Sequence, residues 1–330
     1  MTRYHFDERW IGEHGIGRFA KELFARLEGV QAAGLSGSPA GALDPIRSAS
    51  WLTRHKKDVF FSPGFNAPLW HQARSIITVH DLIHVDIKEE GGALKDLYYS
   101  GIVKPACRKA KRVFTVSEFS RQRIIDWSGA SPDRVVNVGN GVSSVFGASQ
   151  EDSEVAPLPM PYFFCVSNRK AHKNEKRLLE AFRMATAGSD TMLAITGKKT
   201  PDILHEIEKN GLLGRVHFTG RLDDSKLAHY YRFAKAVLFP SLYEGFGLPV
   251  VEGMACGTPV LTSTLTSLPE VAGEAALLVD PLSVEAIADG IDRLHCDDAL
   301  RESLIERGLM QAKLFTWERV AQRAQAALDG

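Results

Sequence analysis

Short runs of β-branched and aromatic residues recur along the first half of the chain. Each is followed by a polar or glycine-rich break and then by a segment with helical periodicity. The runs are VFFS (59–62), SIITV (75–79), RVFTV (112–116) and RVVNV (134–138). Strands that alternate with helical segments are typical of a parallel α/β sheet with helices on both faces. The pattern therefore predicts a doubly wound α/β domain in this half.

The same alternation restarts after residues 147–161, GASQEDSEVAPLPMP, whose proline, serine and acidic content is typical of a linker. The later runs are YFFCVS, MLAITG, RVHFTG, AVLFPS, PVLTS and ALLVD, and helical sequence continues from Val284 to the end. At 330 residues the chain also exceeds the length at which single cores stop growing, roughly 250 residues. We therefore predict two doubly wound, Rossmann-like domains, residues 1–155 and 156–314, that face a cleft.

Charge and composition exclude several classes of function. Forty basic residues balance forty acidic ones, whereas a nucleic-acid-binding protein is expected to have a basic excess. The four cysteines are scattered without metal-ligand spacing, and no Asp-x-Asp motif follows a strand, so neither a structural nor a catalytic metal is expected. No apolar run is long enough for a membrane span or a signal peptide, so we expect a cytoplasmic protein.

Functional groups are expected at the carboxyl ends of the strands, because open α/β sheets bind ligands there. Five such places carry glycine, charge or histidine: GEHGIGRF (12–19), His80-Asp81, NRKAHKN (168–174), Arg221, and a loop and helix with Glu244 and Glu252. The glycine loop has the spacing G-x-x-G-x-G instead of the dinucleotide pattern G-x-G-x-x-G. Gly15 and Gly17 therefore indicate either a plain tight turn or a phosphate contact, and an NAD enzyme is disfavoured.

The loop NRKAHKN places Arg169, Lys170 and Lys173 directly before a helix whose Leu178, Leu179 and Phe182 form an apolar face. Cations at a helix N-terminus oppose the macrodipole, so the helix alone does not explain them. A bound phosphate would gain both the dipole and charge-assisted hydrogen bonds. A solvated basic loop is the alternative.

The segment SLYEGFGLPVVEGMACGTPVLTS (241–263) combines two carboxylates with a Gly-Phe-Gly turn. Pro249 and Gly257 predict a helix of about 249–256, with Glu252 in its first turn, where dipole complementarity alone would account for it. Glu244 lies in the preceding loop beside Gly245 and Gly247, where the backbone can approach a ligand closely. Because carboxylates accept from hydroxyl pairs, the two glutamates suit a sugar ring and a ribose.

These residues resemble a known family. The run E-G-F-G-L-P-x-x-E-x-M-A-x-G-x-P-V is the Glu-x7-Glu signature of retaining glycosyltransferases of family 4, which have the GT-B fold of two Rossmann-like domains. The resemblance extends to the Gly-Ile-Gly loop, V-H-D-L (79–82), V-S-E-F-S (116–120), the H-K-N segment, T-G-R (219–221) and Trp317 in F-T-W-E. It implies that residues 315–330 form a helix that packs back on the first domain.

The resemblance also implies roles for individual residues. Lys173 and a nearby arginine, Arg169, would bind the donor diphosphate, and Glu252 would hold the ribose. Glu244 would hold the transferred sugar together with the amides around Phe246, Gly247 and Leu248. His80 would approach the reactive face of that sugar from the first domain, and the base would lie near Arg221. No metal or other cofactor is expected, because cations and helix N-termini can neutralise the leaving diphosphate.

The similarity to the mannosyltransferase branch favours GDP-mannose as donor and implies retention of anomeric configuration. The expected acceptor is a hydroxyl of a sugar or of a polyprenyl-diphosphate-linked glycan in polysaccharide or O-antigen assembly. Alternatives are a UDP- or dTDP-sugar-dependent transferase, an epimerase of the same fold and a non-catalytic nucleotide-sugar-binding protein.

The segment KPACRKAKRVFTVSEFSRQR (104–123) holds seven basic residues and one acid. Ile102, Val103, Ala106 and Phe114 offer apolar surface in the same region, a combination that allows contact with an anionic membrane surface or a lipid diphosphate. A solvated helix face is the equal alternative.

Overall fold

The computed structural model describes residues 3–13, 15–148 and 155–330. The described chain divides into two compact units, one formed by residues up to Gly141 together with Thr316–Gly330, the other by residues from Val142 to Phe315. Residues 149–154 of the predicted linker lie outside the described residues, so the domain limit at 155 stays a prediction.

In the described part of the first unit, six strands form one parallel sheet in the order β2-β1-β3-β4-β5-β6. The strands are β1 (Arg3–Phe6), β2 (Val30–Ala32), β3 (Asp58–Ser62), β4 (Ser75–Thr78), β5 (Arg112–Thr115) and β6 (Val135–Asn137). β3 and β4 are buried at every position, whereas β1 and β2 are partly exposed. Because β1 and β2 have no continuous apolar run, the hydrophobic pattern does not reveal them.

Seven α-helices belong to the described part of this unit. They are α1 (Gly15–Phe24), α2 (Asp44–Arg54), α3 (Ile83–Asp86), α4 (Ala93–Tyr98), α5 (Lys104–Lys109), α6 (Glu118–Ser128) and α14 (Trp317–Asp329), and a π-helical turn (Tyr99–Val103) joins α4 to α5. The C-terminal α14 belongs to this unit. Its Trp317 ring lies so close to Gly141 that a Cβ there would be 2.6 Å from the ring. The Tyr4 hydroxyl donates to the carbonyl of Leu328 at 2.6 Å.

The second unit contains a parallel sheet that, over its described residues, has six strands in the order β12-β11-β10-β7-β8-β9. The strands are β7 (Tyr162–Cys165), β8 (Met192–Ile195), β9 (Val216–Phe218), β10 (Val237–Phe239), β11 (Val260–Ser263) and β12 (Leu277–Val279). Counted along the chain this is the 3-2-1-4-5-6 order of a Rossmann sheet, whose direction of winding reverses between β7 and β10.

The helices of the second unit follow the predicted alternation. They are α7 (Glu175–Ala185), α8 (Pro201–Lys209), α9 (Asp224–Phe233), α10 (Leu248–Ala255), α11 (Leu268–Ala272), α12 (Val284–Cys296) and α13 (Asp298–Ala312). Leu178, Leu179 and Phe182 of α7 are fully buried in the core that this helix forms with the strands and with α12. The prediction of two doubly wound α/β units is confirmed.

Candidate active site

The point where the second sheet reverses direction collects most of the candidate residues. β7 and β10 are neighbours there, and the loops that leave their carboxyl ends contain the segments around Lys173 and Glu244. The amide of Leu242 donates to the carbonyl of His172 at 2.8 Å, which ties the two loops together. In open α/β sheets this crevice is the usual ligand site.

Lys173 and Glu244 form an ion pair at this point. The Lys173 Nζ lies 2.7 Å from Oε1 of Glu244, and each side chain is only 13% exposed. The ammonium also lies 4.7 Å from the centre of the Phe239 ring, at the end of β10. An ammonium has three N–H donors, so Lys173 can hold Glu244 and still donate to a phosphate oxygen. The structure thus brings together the cation and the carboxylate that the sequence analysis placed on one ligand.

The backbone around Glu244 is held by the loop after β11. Thr266 Oγ1 accepts from the amide of Glu244 at 3.2 Å, and the Ser267 hydroxyl donates to the carbonyls of Glu244 and Phe246 at 3.0 and 2.9 Å. Neither Thr266 nor Ser267 was singled out from the sequence. Their position after a strand is the signal that pointed to the other loops, but hydroxyl residues are too common there to be distinctive.

Asn174 fixes the loop that carries Lys173, and sequence reasoning gave it no role. It adopts a left-handed conformation with φ of 60°, which asparagine tolerates better than most residues. Its buried side-chain amide donates to the carbonyls of Pro240 and Pro281 at 3.0 and 2.7 Å. The loop that carries the lysine is therefore anchored to the segments that follow β10 and β12.

The Gly-Phe-Gly turn leads directly into α10. Gly247 has φ of 103°, and a Cβ there would lie 2.6 Å from Cδ2 of Leu268, so only glycine fits. Phe246 is buried and packs edge-on against Phe315 at 5.5 Å. Gly245 precedes them in the turn, and Leu248 begins the helix. The turn and the helix N-terminus thus present backbone amides immediately after Glu244, as anion-binding sites do.

The prediction that Glu252 lies in the first turn of its helix is wrong. α10 begins at Leu248, which places Glu252 in the second turn, and its side chain is 96% buried. The hydroxyl of Tyr231 donates to its carboxylate at 3.0 Å. Burial, and then the nearby Glu252 charge, raises the pKa of Tyr231, so the phenol stays protonated as a donor. Dipole complementarity in the first turn does not explain this residue, and its contact with a ribose stays a prediction.

Arg169 and Arg221 lie on the β8–β9 side of the sheet. The Arg169 guanidinium pairs with Glu175, donates to the carbonyls of Lys198 and Thr196 at 2.9 and 2.6 Å, and stacks 5.0 Å from the Phe218 ring. Its contacts do not include the Lys173–Glu244 pair. Arg221 is exposed after β9, two strands beyond β7. Whether Arg169 binds diphosphate and whether the base lies near Arg221 stay predictions.

His80 follows β4 in the first unit and is held on two sides. Its Nε2 lies 2.9 Å from the carbonyl oxygen of Pro63, which can only accept, so Nε2 carries the proton and Nδ1 is the acceptor. The Phe19 ring of α1 meets the imidazole edge-on at 4.8 Å. Burial lowers the pKa of His80, although the Pro63 carbonyl and the Asp81 charge act in the opposite direction. The imidazole is therefore neutral at pH 7.

The glycine loop is a close turn of the backbone. α1 begins at Gly15, and a Cβ on Gly17 would lie 2.6 Å from the carbonyl oxygen of Gly12. This contact accounts for Gly17 without a ligand, because a side chain there would collide with the backbone. No corresponding constraint acts on Gly15, whose Cβ would point into open space. A phosphate contact of this loop stays a prediction.

A buried charged network supports the first unit, and the sequence analysis missed it. The guanidinium of Arg9 binds both carboxylate oxygens of Asp7 at 2.6 and 2.7 Å and reaches Asp44 at 2.7 Å. The side-chain amide of Asn66 donates to both aspartates, and the Trp10 indole donates to Asn66 at 2.7 Å. Asp44 and Asn66 are distant in sequence from the other three residues, so only the folded chain reveals the cluster.

Most of the apolar surface expected beside residues 104–123 is absent from the described structure, where Ile102 alone of the four residues is partly exposed. Val103, Ala106 and Phe114 are fully buried, because α5 and β5 belong to the core of the first unit. Several basic residues of the segment are also engaged: Arg121 pairs with Glu118, and Arg123 pairs with Asp86 at 2.5 Å. The prediction of an amphipathic surface here is therefore wrong.

None of the helices in the described residues is both long and apolar enough to cross a membrane. No group of three or more His, Cys, Asp or Glu residues within the described ranges is arranged to hold a metal ion.

Comparison with known proteins identifies relatives for both halves. The model for glycosyl transferases group 1 matches residues 149–310, and the model for glycosyltransferase family 4 matches residues 11–145. The O-antigen chain mannosyltransferase B of Escherichia coli is 33% identical over 290 residues, which cover 84% of this chain and 75% of that protein. The serotype-specific mannosyltransferase WbdA of Escherichia coli is 29% identical over 307 residues, which cover 88% of this chain but only 37% of WbdA.

Solved structures share the fold. Sucrose-phosphate synthase from Thermosynechococcus elongatus superimposes with a TM-score of 0.77 over 100% of this chain and 98% of that chain, at 20% identity. The likeness at this level of identity concerns the GT-B architecture alone.

Proposed function

The chain belongs to the glycosyltransferases of group 1 and family 4, and we propose that it transfers mannose from GDP-mannose to a hydroxyl of a glycan acceptor. The observation that carries the proposal is the Lys173–Glu244 pair, 2.7 Å apart where the second sheet reverses direction. The names of the two relatives as mannosyltransferases support mannose as the transferred sugar. The name of the first supports O-antigen assembly, and the acceptor is proposed to be a sugar or a glycan linked to a polyprenyl diphosphate.

Lys173 is proposed to bind the donor diphosphate. Its ammonium is mostly removed from water, so its attraction to a phosphate is stronger than that of an exposed lysine. The amides of the turn from Phe246 to Leu248 add further donors at the N-terminus of α10. These groups would stabilise the negative charge that develops on the leaving diphosphate, without reorganisation at the moment of reaction. Addition of EDTA is therefore expected to leave transfer unchanged, and a loss restored by Mg²⁺ would refute metal-independent catalysis.

Glu244 is proposed to hold the transferred sugar. Its carboxylate can accept from sugar hydroxyls, and its negative charge opposes the positive charge that develops at the anomeric carbon of an oxocarbenium-like transition state. His80, neutral and with Nδ1 as acceptor, is proposed to contact the same sugar. Glu252 is proposed to bind the ribose.

Retention of configuration is proposed to occur by attack of the acceptor oxygen on the face that the diphosphate leaves. The bond from the anomeric carbon to the phosphate oxygen breaks, the bond to the acceptor oxygen forms, and the departing phosphate oxygen takes the acceptor proton. This route needs no carboxylate nucleophile. The one-bond carbon–proton coupling at the anomeric carbon of the product distinguishes α from β linkage, and a β-mannoside from the α-linked donor would refute retention.

Thermal-shift measurements with GDP, UDP and dTDP test the donor. A nucleotide that binds the folded chain stabilises it by mass action, by about 2.7 kcal/mol at a concentration of 100 Kd. We expect the largest shift with GDP, and a response to UDP alone would replace GDP-mannose with a UDP-sugar. An epimerase would convert the donor sugar without acceptor, and a binding protein would show the shift without any transfer.

Contact between residues 104–123 and an anionic membrane is retained as a proposal based on charge alone. Sedimentation with liposomes that contain or lack anionic lipid tests it, and equal, negligible binding to both would remove it.

A further inference from the structure

A cavity lies in the first unit, apart from the residues assigned above. It has a volume of about 670 Å³, within the range of small-molecule sites, and lies among α3, α4, the π-helical turn and α6. Its lining includes His84, Asp96, Tyr99, Ser100 and Trp127. We propose that this cavity binds a neutral pyranose ring of the acceptor glycan, an inference that rests on the proposed glycosyl transfer.

Two aromatic side chains form one wall. The rings of Tyr99 and Trp127 are 6.2 Å apart, and the ammonium of Lys104 lies 5.6 Å from the Trp127 ring. A pyranose has an apolar face of C–H groups and a rim of hydroxyls, so it can pack its face on aromatic rings and direct its hydroxyls to polar side chains. Ligand sites commonly combine such apolar walls with a few fixed polar groups.

Tyr99 supplies an unused donor. The residue is 94% buried, and its hydroxyl makes no hydrogen bond with any residue in the described ranges. The hydroxyl is not one of the fully buried polar atoms without a partner in the described residues, so it is open to the cavity that Tyr99 lines, where a sugar oxygen can accept from it in place of water. Burial raises the pKa of Tyr99, which keeps the phenol protonated and able to donate. Tyr99 also begins the π-helical turn, a departure from α-helix that is often found at functional sites.

The charge of the lining favours a sugar over a phosphate. Among the described residues that line the cavity there is one carboxylate, Asp96, and one imidazole, His84, but no lysine or arginine. A phosphate would be repelled by Asp96 and would find no cation in the lining. A sugar hydroxyl would instead donate to Asp96, which is exposed at the surface of α4. His84 is fixed by a hydrogen bond between Nδ1 and the carbonyl of Glu90 at 2.8 Å, which holds its ring in place.

Saturation-transfer NMR with methyl α-D-mannopyranoside tests the site on the full chain. Tyr99→Phe removes one hydroxyl and keeps the ring, and Asp96→Asn removes one charge from an exposed side chain, so both variants should fold. Each is expected to weaken the glycoside by roughly 5- to 10-fold, the value of one lost hydrogen bond. The matched control is Asp126→Asn, a carboxylate of α6 that accepts from Gln122 and does not line the cavity. It should bind as the wild type does.

Three results would overturn the site: no binding of the glycoside to the wild type, wild-type affinity in the Tyr99→Phe/Asp96→Asn double variant, or displacement of the glycoside by inorganic phosphate. The thermal shift with GDP, measured on the same samples, separates this inference from the proposed function. If the variants lose glycoside binding but keep the wild-type thermal shift with GDP, both the sugar site and the proposed function are supported. If the variants lose glycoside binding and the wild type shows no thermal shift with any nucleotide, the sugar site stands and the proposed transferase is rejected.

Discussion

Replacement of Glu244 by glutamine separates the chemical role of its charge from its structural role. Glutamine keeps the side-chain length and an oxygen that can accept from Lys173. The contacts with Thr266 and Ser267 involve the backbone of residue 244 and are unaffected. Alanine would be a poorer choice, because removal of one partner of a buried ion pair strands the other charge at a cost of about 3–5 kcal/mol.

The expected loss of stability is small. In the Glu244→Gln variant the ammonium of Lys173 still donates to an oxygen, and a hydrogen bond to a charged group contributes about 1.5–3 kcal/mol, so the substitution should cost less free energy of unfolding than the about 3–5 kcal/mol of an ammonium left without a partner. Loss of one preorganised electrostatic contact in a transition state typically costs about 2.7–4 kcal/mol, which corresponds to roughly 10²- to 10³-fold in kcat. The loss of rate should therefore far exceed any loss of folded protein.

The assay is release of GDP from GDP-mannose in the presence of a mannan oligosaccharide, with urea unfolding measured on the same samples. Glu274→Gln is the control, because Glu274 is an exposed carboxylate in the turn after α11. A Glu244→Gln enzyme with kcat within about threefold of the wild type would refute the role assigned to this charge. A rate loss accompanied by an equal loss of folded protein would refute it as well.

Three further outcomes follow from other parts of the structure. Because burial lowers the pKa of His80, the unfolded chain binds more protons there. The stability from this residue is present above its unfolded pKa of about 6.5 and is lost as pH falls below that value. The difference in free energy of unfolding between the wild type and His80→Gln should therefore shrink from pH 7 to pH 5. A difference that stays constant would contradict this. Arg169→Gln breaks the pair with Glu175 and two hydrogen bonds to carbonyl groups. Urea unfolding should therefore show a loss of about 2–4 kcal/mol in the free energy of unfolding. A loss of GDP affinity by calorimetry without a loss of stability would show instead that Arg169 binds the diphosphate. A thiol reagent should label only the exposed Cys296 in the folded chain, because burial raises the pKa of the other three thiols, those of Cys107, Cys165 and Cys256, to about 12. Rapid labelling of a second thiol would contradict the fold.

The hydrophobic pattern predicts the second unit better than the edge of the first. β7, β8, β10 and β11 are buried along nearly their whole length and read as continuous apolar runs. β1 and β2 have polar and exposed positions, so they carry no such signal. Residues 104–123 illustrate the opposite error, since apolar residues interpreted as surface belong to the core. Local sequence does not say which face of an element meets the sheet.

The part of the site that the sequence predicts consists of charged residues directly after strands. Lys173 and Glu244 stand out because each lies in a short loop between a strand and a helix, and parallel strands bring such loops to one edge. Their supports, Asn174, Thr266 and Ser267, are ordinary polar residues, and their function depends on partners that are distant in sequence. The buried network of Arg9 was invisible for the same reason. Cooperative tertiary contacts of this kind are set by the fold as a whole.

The most direct test of the central claim, that Lys173 and Glu244 act on the same nucleotide sugar, is calorimetric titration of GDP and of a non-transferable 2-fluoro analogue of GDP-mannose. Lys173→Met should weaken both ligands by at least about tenfold, because it removes a charge-assisted bond to the diphosphate. Glu244→Gln should weaken only the sugar nucleotide and leave GDP unchanged or tighter, because the lost negative charge no longer opposes the phosphates. Equal weakening of both ligands by Glu244→Gln, or wild-type affinities in Lys173→Met, would contradict the account.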